Sequence, residues 1–459
     1  MSSTFSGVSV ALSALYAQRS GLDVTGQNIA NANTVGYSRQ RVDLASVGGP
    51  TVPGIFSVWS GAGAGVQVAD IARMRDQLLE TRAREQHGQS ALVDGRTAVM
   101  SSLEQGLGEP GDSGLQALMA DTWSAWHDVA NNPGDLAARG TLLQRAAAVA
   151  GRLNDLSGAI ATEWSTTRQQ LDTVASDVNT TAQTIAQLNQ AVIRANAGGL
   201  PANELTDQRD VLVLHISELT GATARAGADG RVDVFLGGSS LVSGATSRAV
   251  HASGPGRLVD VAGQPAALSW VDNGLPASVP AGQVGSMLES LNNLLPGFSA
   301  QLDGVAATLA STVNAQQQAG FDLGGAAGGP FFTGTTAAGI AVAFSDPALV
   351  AASGSPGGNL DGSNALLMGR LSDTPGGPDR LYRQVVAELG VQSQSAQAQQ
   401  LVQNTVTQDV DAAREGQSGV NLDEEMTNML TFQRAYEAAS KVLNAIDSML
   451  DTLINHTGV

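Results

Sequence analysis

Apolar residues recur at seven-residue spacing at both ends of the chain. Near the start they are Val8, Leu15, Leu22 and Ile29; at the far end they are Leu422, Met429, Tyr436, Leu443 and Leu450. A second C-terminal seam runs through Phe432, Ala439, Ile446 and Leu453, whereas the N-terminal companion is thin: Ala11, Gln18, Thr25 and Ala32. Two apolar seams in heptad register predict coiled-coil helices. The same pattern also describes the buried contact of an ordinary antiparallel helix pair. Position favours assembly, because both stripes run almost to the chain's ends and the thin N-terminal helix is marginal without a partner. These seam residues are the candidate assembly interface, with Leu443 and Leu450 expected to be wet in a free subunit.

Between the ends, the longest pattern covers residues 135–197. Trp164, Leu171, Val178, Ile185 and Val192 form one stripe; Leu153, Ile160, Val174 and Leu188 form another. Pro133-Gly134-Asp135 supplies a start, and Gly198-Gly199 followed by Pro201 a stop. A single helix about 90 Å long is predicted at ~1.5 Å per residue, with Gly140, Gly151 and Gly158 weakening its first third. A shorter amphipathic helix carries Leu205, Leu212, Ile216 and Leu219 and ends at Gly221.

The period then changes. Asp229-Gly230 marks a hairpin turn between 223–228 and 231–236, and short strands punctuated by Gly and Pro continue to Val271. Helical pattern returns from Met287 to about Gln318, a Gly-rich stretch holds one strand at 340–344, and helix resumes near Asn364. The predicted fold is mainly α with a β-rich insertion: a long-helix bundle with a terminal coiled coil formed by the N- and C-terminal helices. The halves of that coiled coil are 1–36 and 418–459. The helical body comprises 37–221, 283–319 and 359–417, the β-rich outer domain 222–282, and the Gly-rich excursion 320–358. Residues 222–282 are expected to face outward and to be removable with a short linker.

Composition removes several functions. The chain has no cysteine, 42 acidic against 24 basic residues, a net charge of −18, and Lys441 as its only lysine. Disulfides and thiolate metal sites are excluded, and no basic cluster invites nucleic acid or an anionic membrane surface. No apolar run reaches the roughly 18 residues a membrane span needs. No positive region precedes the moderately apolar stretch 8–17, since the first basic residue is Arg19, so no cleaved signal peptide is expected.

Catalytic patterns are equally sparse. His87, His127, His215, His251 and His456 show no zinc-site spacing, and Lys441 follows Ser440 where a P-loop needs glycine. Gly61, Gly63 and Gly65 resemble a dinucleotide loop, but Val66 stands where a third glycine would. There is no G-x-S-x-G elbow, and His127 beside Asp128 is a dyad by adjacency only. No catalytic residue, cofactor or metal is expected; the enzymatic alternative is a hydrolase housed in the β-rich insertion.

Three stretches go beyond pattern. NIANANTVGYSRQRV, residues 28–42, resembles the amino-terminal signature of the bacterial flagellar axial proteins. WSAWHDVANNPGDLAARGTLLQRA, beginning at Trp123, and SGVNLDEEMTNMLTFQRAYEAASKVLNAIDSML, residues 418–450, resemble the hook–filament junction branch of that family. LTDQRDVLVLHISELTG at 205–221 and VNAQQQAGFDL at 313–323 resemble it more weakly. The resemblance implies a structural protein that forms a ring, a homo-oligomer whose paired terminal helices line a central channel. It implies hook protein below, the second junction protein above, and a cytoplasmic export chaperone on the C-terminal helices. Export by the flagellar type III apparatus to the extracellular hook–filament junction follows from it too. Another axial component, from rod, hook or the second junction, is the alternative. The chain is short in its middle, which puts in doubt the extra outer domain of larger members.

The motif residues also have a direct reading. Asn28, Asn31 and Asn33 followed by Gly36 place capping and left-handed-tolerant residues where the first helix must stop. Tyr37, Arg39 and Arg41 then add a ring and two guanidinium groups. The segment is either a plain helix stop with solvated arginines or a stiff corner joining the terminal helix to the body. Asn421 through Glu425, NLDEE, reads as a helix start with acids at the positive end of the dipole. Trp123 and Trp126 are expected core anchors.

Overall fold

The computed structural model describes residues 4–48, 63–357, 360–452 and 455. Helix α1 (Thr4–Ala30) leads into an antiparallel hairpin, β1 (Gln40–Val47) and β2 (Gly65–Arg73), followed by α2 (Gln77–Leu107) and α3 (Leu115–Asn131). Next come α4 (Leu136–Ala197) and α5 (Asn203–Thr220). Strands β3 (Thr223–Ala226), β4 (Val232–Leu236), β5 (Ser239–Ser243) and β6 (Thr246–Ser247) form a four-stranded antiparallel sheet, and β7 (Val250–Ser253) pairs with β8 (Ala267–Trp270). Helix α6 (Gly282–Glu289) passes through a π turn, Ser290–Leu294, into α7 (Leu295–Ala319). The small pair β9 (Phe332–Thr333) and β10 (Ala341–Val342) precedes α8 (Ser363–Gly369), α9 (Pro378–Ser418) and α10 (Leu422–Asp451).

The architecture is mainly helical with β-rich insertions, as the periodicity predicts. Helix α4 runs unbroken for 62 residues, roughly 90 Å. Asp135 caps it by accepting from the Ala137 amide. Gly140, Gly151 and Gly158 do not interrupt it; each costs up to about 1 kcal/mol of helix propensity, set against a stripe that buries Leu142, Leu153, Leu171, Val178 and Ile185 completely. Trp123 and Trp126 are buried anchors. The hairpin turn at Asp229-Gly230 is present, with Gly230 at φ +86° and Ala226 opposite Val232.

Two expectations need correction. The stretch 37–221 opens with the hairpin β1–β2, not helix; its strands alternate half-buried and exposed positions over a few residues, and a short mixed segment leaves a weak period in the sequence. Residues 222–282 are not a free-standing module either. Val234, Leu236, Leu241, Val242 and Leu268 are fully buried in the same continuous core as α3, α4 and α7.

The insertions are fastened by a repeated device. A helical asparagine pairs its side-chain amide with the N–H and C=O of one residue, standing in for a strand neighbour. Asn179 holds Val250 at 2.8 and 2.8 Å, Asn189 holds Val232 at 2.9 and 2.7 Å, and Asn292 holds Ala266 at 2.8 and 2.8 Å. Asn314 likewise holds Phe332 at 2.8 and 2.8 Å. An amide can serve both groups at once because it has a donor and an acceptor in one plane. Asn189 is fully buried, so Asn189→Ala strands both backbone groups of Val232. The expected loss is about 1–3 kcal/mol, read as a lower urea midpoint with an unchanged m-value; an unaltered midpoint would discount the device.

Candidate functional site: the corner joining the two chain ends

Helices α1 and α10 pack antiparallel, with Gly7 against Ile446, Gly21 against Phe432, and Asn28 bonded to Glu425. The contact takes Ala11 and Thr25 from the thin companion seam and otherwise falls on residues outside both heptad seams. Ala11, Ala17, Gly21, Val24 and Thr25 are buried, whereas Val8, Leu15, Leu22 and Ile29 are half-buried. Small residues let the helix axes approach, since interaxial distance is set by the side chains at the contact. A Cβ at Gly21 would lie 2.6 Å from the Phe432 ring. On α10 the inner face carries Glu425, Phe432 and Ile446, with Met429, Leu443 and Leu450 half-buried. Leu443 and Leu450 are therefore not fully wet. Leu422 and Tyr436 remain 48% and 39% exposed and lie off the intrachain contact. Leu453 falls outside the described residues.

The corner is built on Asn28. Its amide nitrogen donates to the Gln40 carbonyl and to Glu425 Oε2, both at 2.9 Å. Its oxygen accepts from the Gln40 N–H at 2.9 Å and from the Tyr37 hydroxyl at 2.8 Å. All four hydrogen-bonding positions of the amide are used, in the same two-point grip seen on the insertions. Arg39 donates through Nε to Glu425 Oε1 and through Nη1 to Glu424 Oε2, each at 2.8 Å. Asn421 caps α10 by accepting from the Asp423 and Glu424 amides. Helix start and salt link thus occupy one five-residue segment.

A second layer ties this corner to the body. Asp207 of α5 accepts from the Ser38 N–H at 3.0 Å and hydroxyl at 2.7 Å, and from Arg73 at 2.7 Å. Arg73 also reaches Asp210 at 3.0 Å, and Arg75 contacts Asp210 and Glu80. Arg209 donates to the Gly230 carbonyl at 2.6 Å, carrying the link to the β3–β4 turn. Burial would raise the Asp210 pKa, but Arg75, Arg73 and Arg209 overcome it and hold the carboxyl below its usual range. Burial, reinforced by Asp207, Glu204 and Glu425, pushes the Tyr37 phenol up to about 12, so it stays a donor at neutral pH. Gly36 sits at φ +81°, and a Cβ there would collide with the Val211 side chain.

Of the motif residues, the structure therefore brings together Asn28, Gly36, Tyr37 and Arg39. Asn31 closes the turn through the Gln27 carbonyl and the Thr34 hydroxyl, Asn33 is exposed, and Arg41 pairs with Asp43 at the surface. Asp207, Asp210, Arg73 and Ser38 escaped the sequence reading, and Glu425 was read only as an acid at a helix start. The signal for two of them was Asp207 and Asp210 flanking Arg209 on one amphipathic helix, three residues apart and so on one face. His127 is exposed against Gly369, and Gly65 enters a strand, not a helix. Among the described residues no group of three or more His, Asp or Glu side chains could hold a metal ion.

The arrangement ties both chain ends to the helical body. A family model for the flagellar hook-associated protein FlgK helical domain matches residues 100–332. Models for the C-terminal region of the flagellar basal body rod FlgEFG proteins and for the flagella basal body rod protein match 416–456 and 9–37. Flagellar hook-associated protein 1 of Bacillus subtilis (strain 168) is 30% identical across 100% of this chain and 99% of its own length. The chain belongs to the flagellar hook-associated protein 1 family.

The Escherichia coli (strain K12) hook-associated protein 1 is 24% identical over 97% of the chain and 98% of its own length. The solved structure of the flagellar hook junction protein FlgK from Burkholderia pseudomallei shares the fold, with a TM-score of 0.65 at 16% identity, covering 73% of this chain and 99% of that one. The terminal segments alone match rod-family models; the helical domain distinguishes a hook-associated protein from a rod component. Membership makes the chain a structural junction protein of the flagellum, a family that assembles with other flagellar components. No helix among the described residues is long and apolar enough to cross a membrane.

Proposed function

We propose that the chain forms a ring between hook and filament, with the α1–α10 pairs lining the export channel. Hook protein would lie below the ring and the second junction protein above it. The observation that carries this reading is the paired chain ends, held by one corner to the long-helix body. Helix α10 keeps apolar residues on its outer side, with Leu422, Met426, Leu430, Val442 and Met449 each about half exposed. That surface supports burial against neighbouring subunits in the ring, and against a cytoplasmic chaperone before export by the type III apparatus. The candidate interface on this reading has two parts. Gly21, Phe432 and Ile446 close the pair within a subunit, and Leu422 and Tyr436 face the neighbours.

The test is electron microscopy of a strain lacking this chain. Hooks without filaments, with flagellin lost to the medium, are expected. Normal filaments on the deletion strain would reject the junction role.

A further inference from the structure

Histidine 87 lies on α2, between two carboxylates from two other helices. Its Nδ1 is 2.8 Å from Glu218 Oε1 on α5, and its Nε2 is 3.0 Å from Asp411 Oδ2 on α9. A neutral imidazole has one N–H and one lone pair, so it can donate to only one of these groups. In that state the other ring nitrogen turns a lone pair toward a carboxylate oxygen. The imidazolium donates to both. Only the protonated ring satisfies the geometry.

The position of this contact gives it a consequence. Val410 is the last buried residue of α9, so Asp411 sits where the helix leaves the body. Beyond it, α9 runs through exposed positions and Gly416 to Ser418, whose carbonyl accepts from the Arg39 N–H at the corner. Neighbouring α2–α9 bonds join Gln86 to Gln403, Asp94 to Gln400 and Glu104 to Ser393, and none of them involves a histidine.

We propose that His87 is a proton-operated clasp: charged, it fastens the end of α9 to α2 and α5, and uncharged it releases the segment leading to the terminal helices. The inference is independent of the junction role. On α5, His215 Nδ1 stands 3.8 Å from the far oxygen of Glu218, and its Nε2 is 3.1 Å from Asp177 of α4. On α9, Arg414 approaches Asp411 at 3.6 Å. On α2 itself, Arg84 lies one turn earlier and Asp94 two turns later, and α6 offers only the uncharged Gln283 nearby. Both ring nitrogens face carboxylates directly, whereas Arg414 reaches the site only through Asp411 and Arg84 donates to the Glu80 carbonyl.

The hydrogen bond to Glu218 raises the His87 pKa above the ordinary imidazole value, burial opposes it, and Asp411 adds to the rise. A raised folded-state value means that the stabilisation is complete below the ordinary value near ~6.5. It is lost as pH climbs through the raised one. The clasp is therefore closed below the ordinary imidazole value and opens as pH rises past the raised one.

Hydrogen exchange of the full chain tests this, with amide rates across 411–418 corrected for intrinsic base catalysis. Protection should fall several-fold as pH rises from below the ordinary imidazole value, near ~6.5, through the raised one. His87→Gln should hold the segment at the weaker level throughout, and His215→Gln should keep the wild-type profile. Asp411→Asn, which leaves the Glu218 contact intact, guards against a His87 variant that fails to fold, and should also flatten the profile. An NMR titration placing His87 at or below the ordinary value overturns the proposal. So does a pH dependence that survives in both His87→Gln and Asp411→Asn.

Discussion

Gly21→Leu is expected to leave cells with hooks but no filaments while the subunit is still made and exported. Leucine is a good helix former and would favour α1 as an isolated helix. Any damage therefore comes from the contact. A side chain at residue 21 must enter the space of the Phe432 ring, which already lies where its Cβ would be. Overpacking of this kind costs about 1–3 kcal/mol per subunit, and the clash recurs in every copy of a ring. Gly26→Leu is the matched control, because a Cβ at that position meets nothing within 4 Å. In purified subunits, limited proteolysis should remove α1 and α10 from Gly21→Leu faster than from Gly26→Leu, with α2 to α7 left intact. Identical proteolysis and filament counts for the two variants would mean that the α1–α10 contact is not what assembly requires.

Deleting residues 222–282 and closing the gap with a Gly-Ser linker is expected to unfold much of the helical body. Arg168, Asn179, Asn189 and Asn196 of α4 all bond to backbone carbonyls of this segment. Between them lie the buried Leu171, Val178, Ile185 and Val192. Returning a large apolar side chain to water forfeits about 1.5–3 kcal/mol, so uncovering a few of them is comparable to the whole stability of about 5–15 kcal/mol typical of a domain. Far-UV circular dichroism should report a loss of helix well beyond the few helical residues removed, with a lower midpoint for what remains. Retention of the full helical signal would restore the picture of a detachable module.

Much of this architecture is written in short-range pattern. The α4 stripe, the stop at Gly198-Gly199, the Asp229-Gly230 hairpin and the two terminal helices all follow from residue spacing and local backbone preference. So does the exclusion of thiol chemistry in a chain without cysteine. The strands β1, β2 and β9 were less legible, because β1 and β2 mix half-buried and exposed positions without a clean period and β9 is only two residues long; in each case the pairing partner supplies the order that the strand's own sequence lacks.

The corner shows where local reading stops. Asn28, Gly36, Tyr37 and Arg39 could be singled out as a helix stop with polar groups after it. That Arg39 and Asn28 close on Glu425, almost four hundred residues away, depends on the fold bringing α10 back along α1. The capping role assigned to NLDEE was correct for Asn421, and its fifth residue turned out to be the buried link between the chain ends.

What the sequence by itself determined is which segments are helices, where they end and that both ends present apolar seams. Those properties arise from spacing and backbone preference within a few residues. Only the tertiary structure decided which face of α1 meets the partner, because bulk predicts burial in isolation whereas close helix approach rewards Gly and Ala. It alone also decided that the β-rich segment shares the core. Asparagine is a common exposed residue, and its grip on a distant strand exists only once the helix and the strand are side by side.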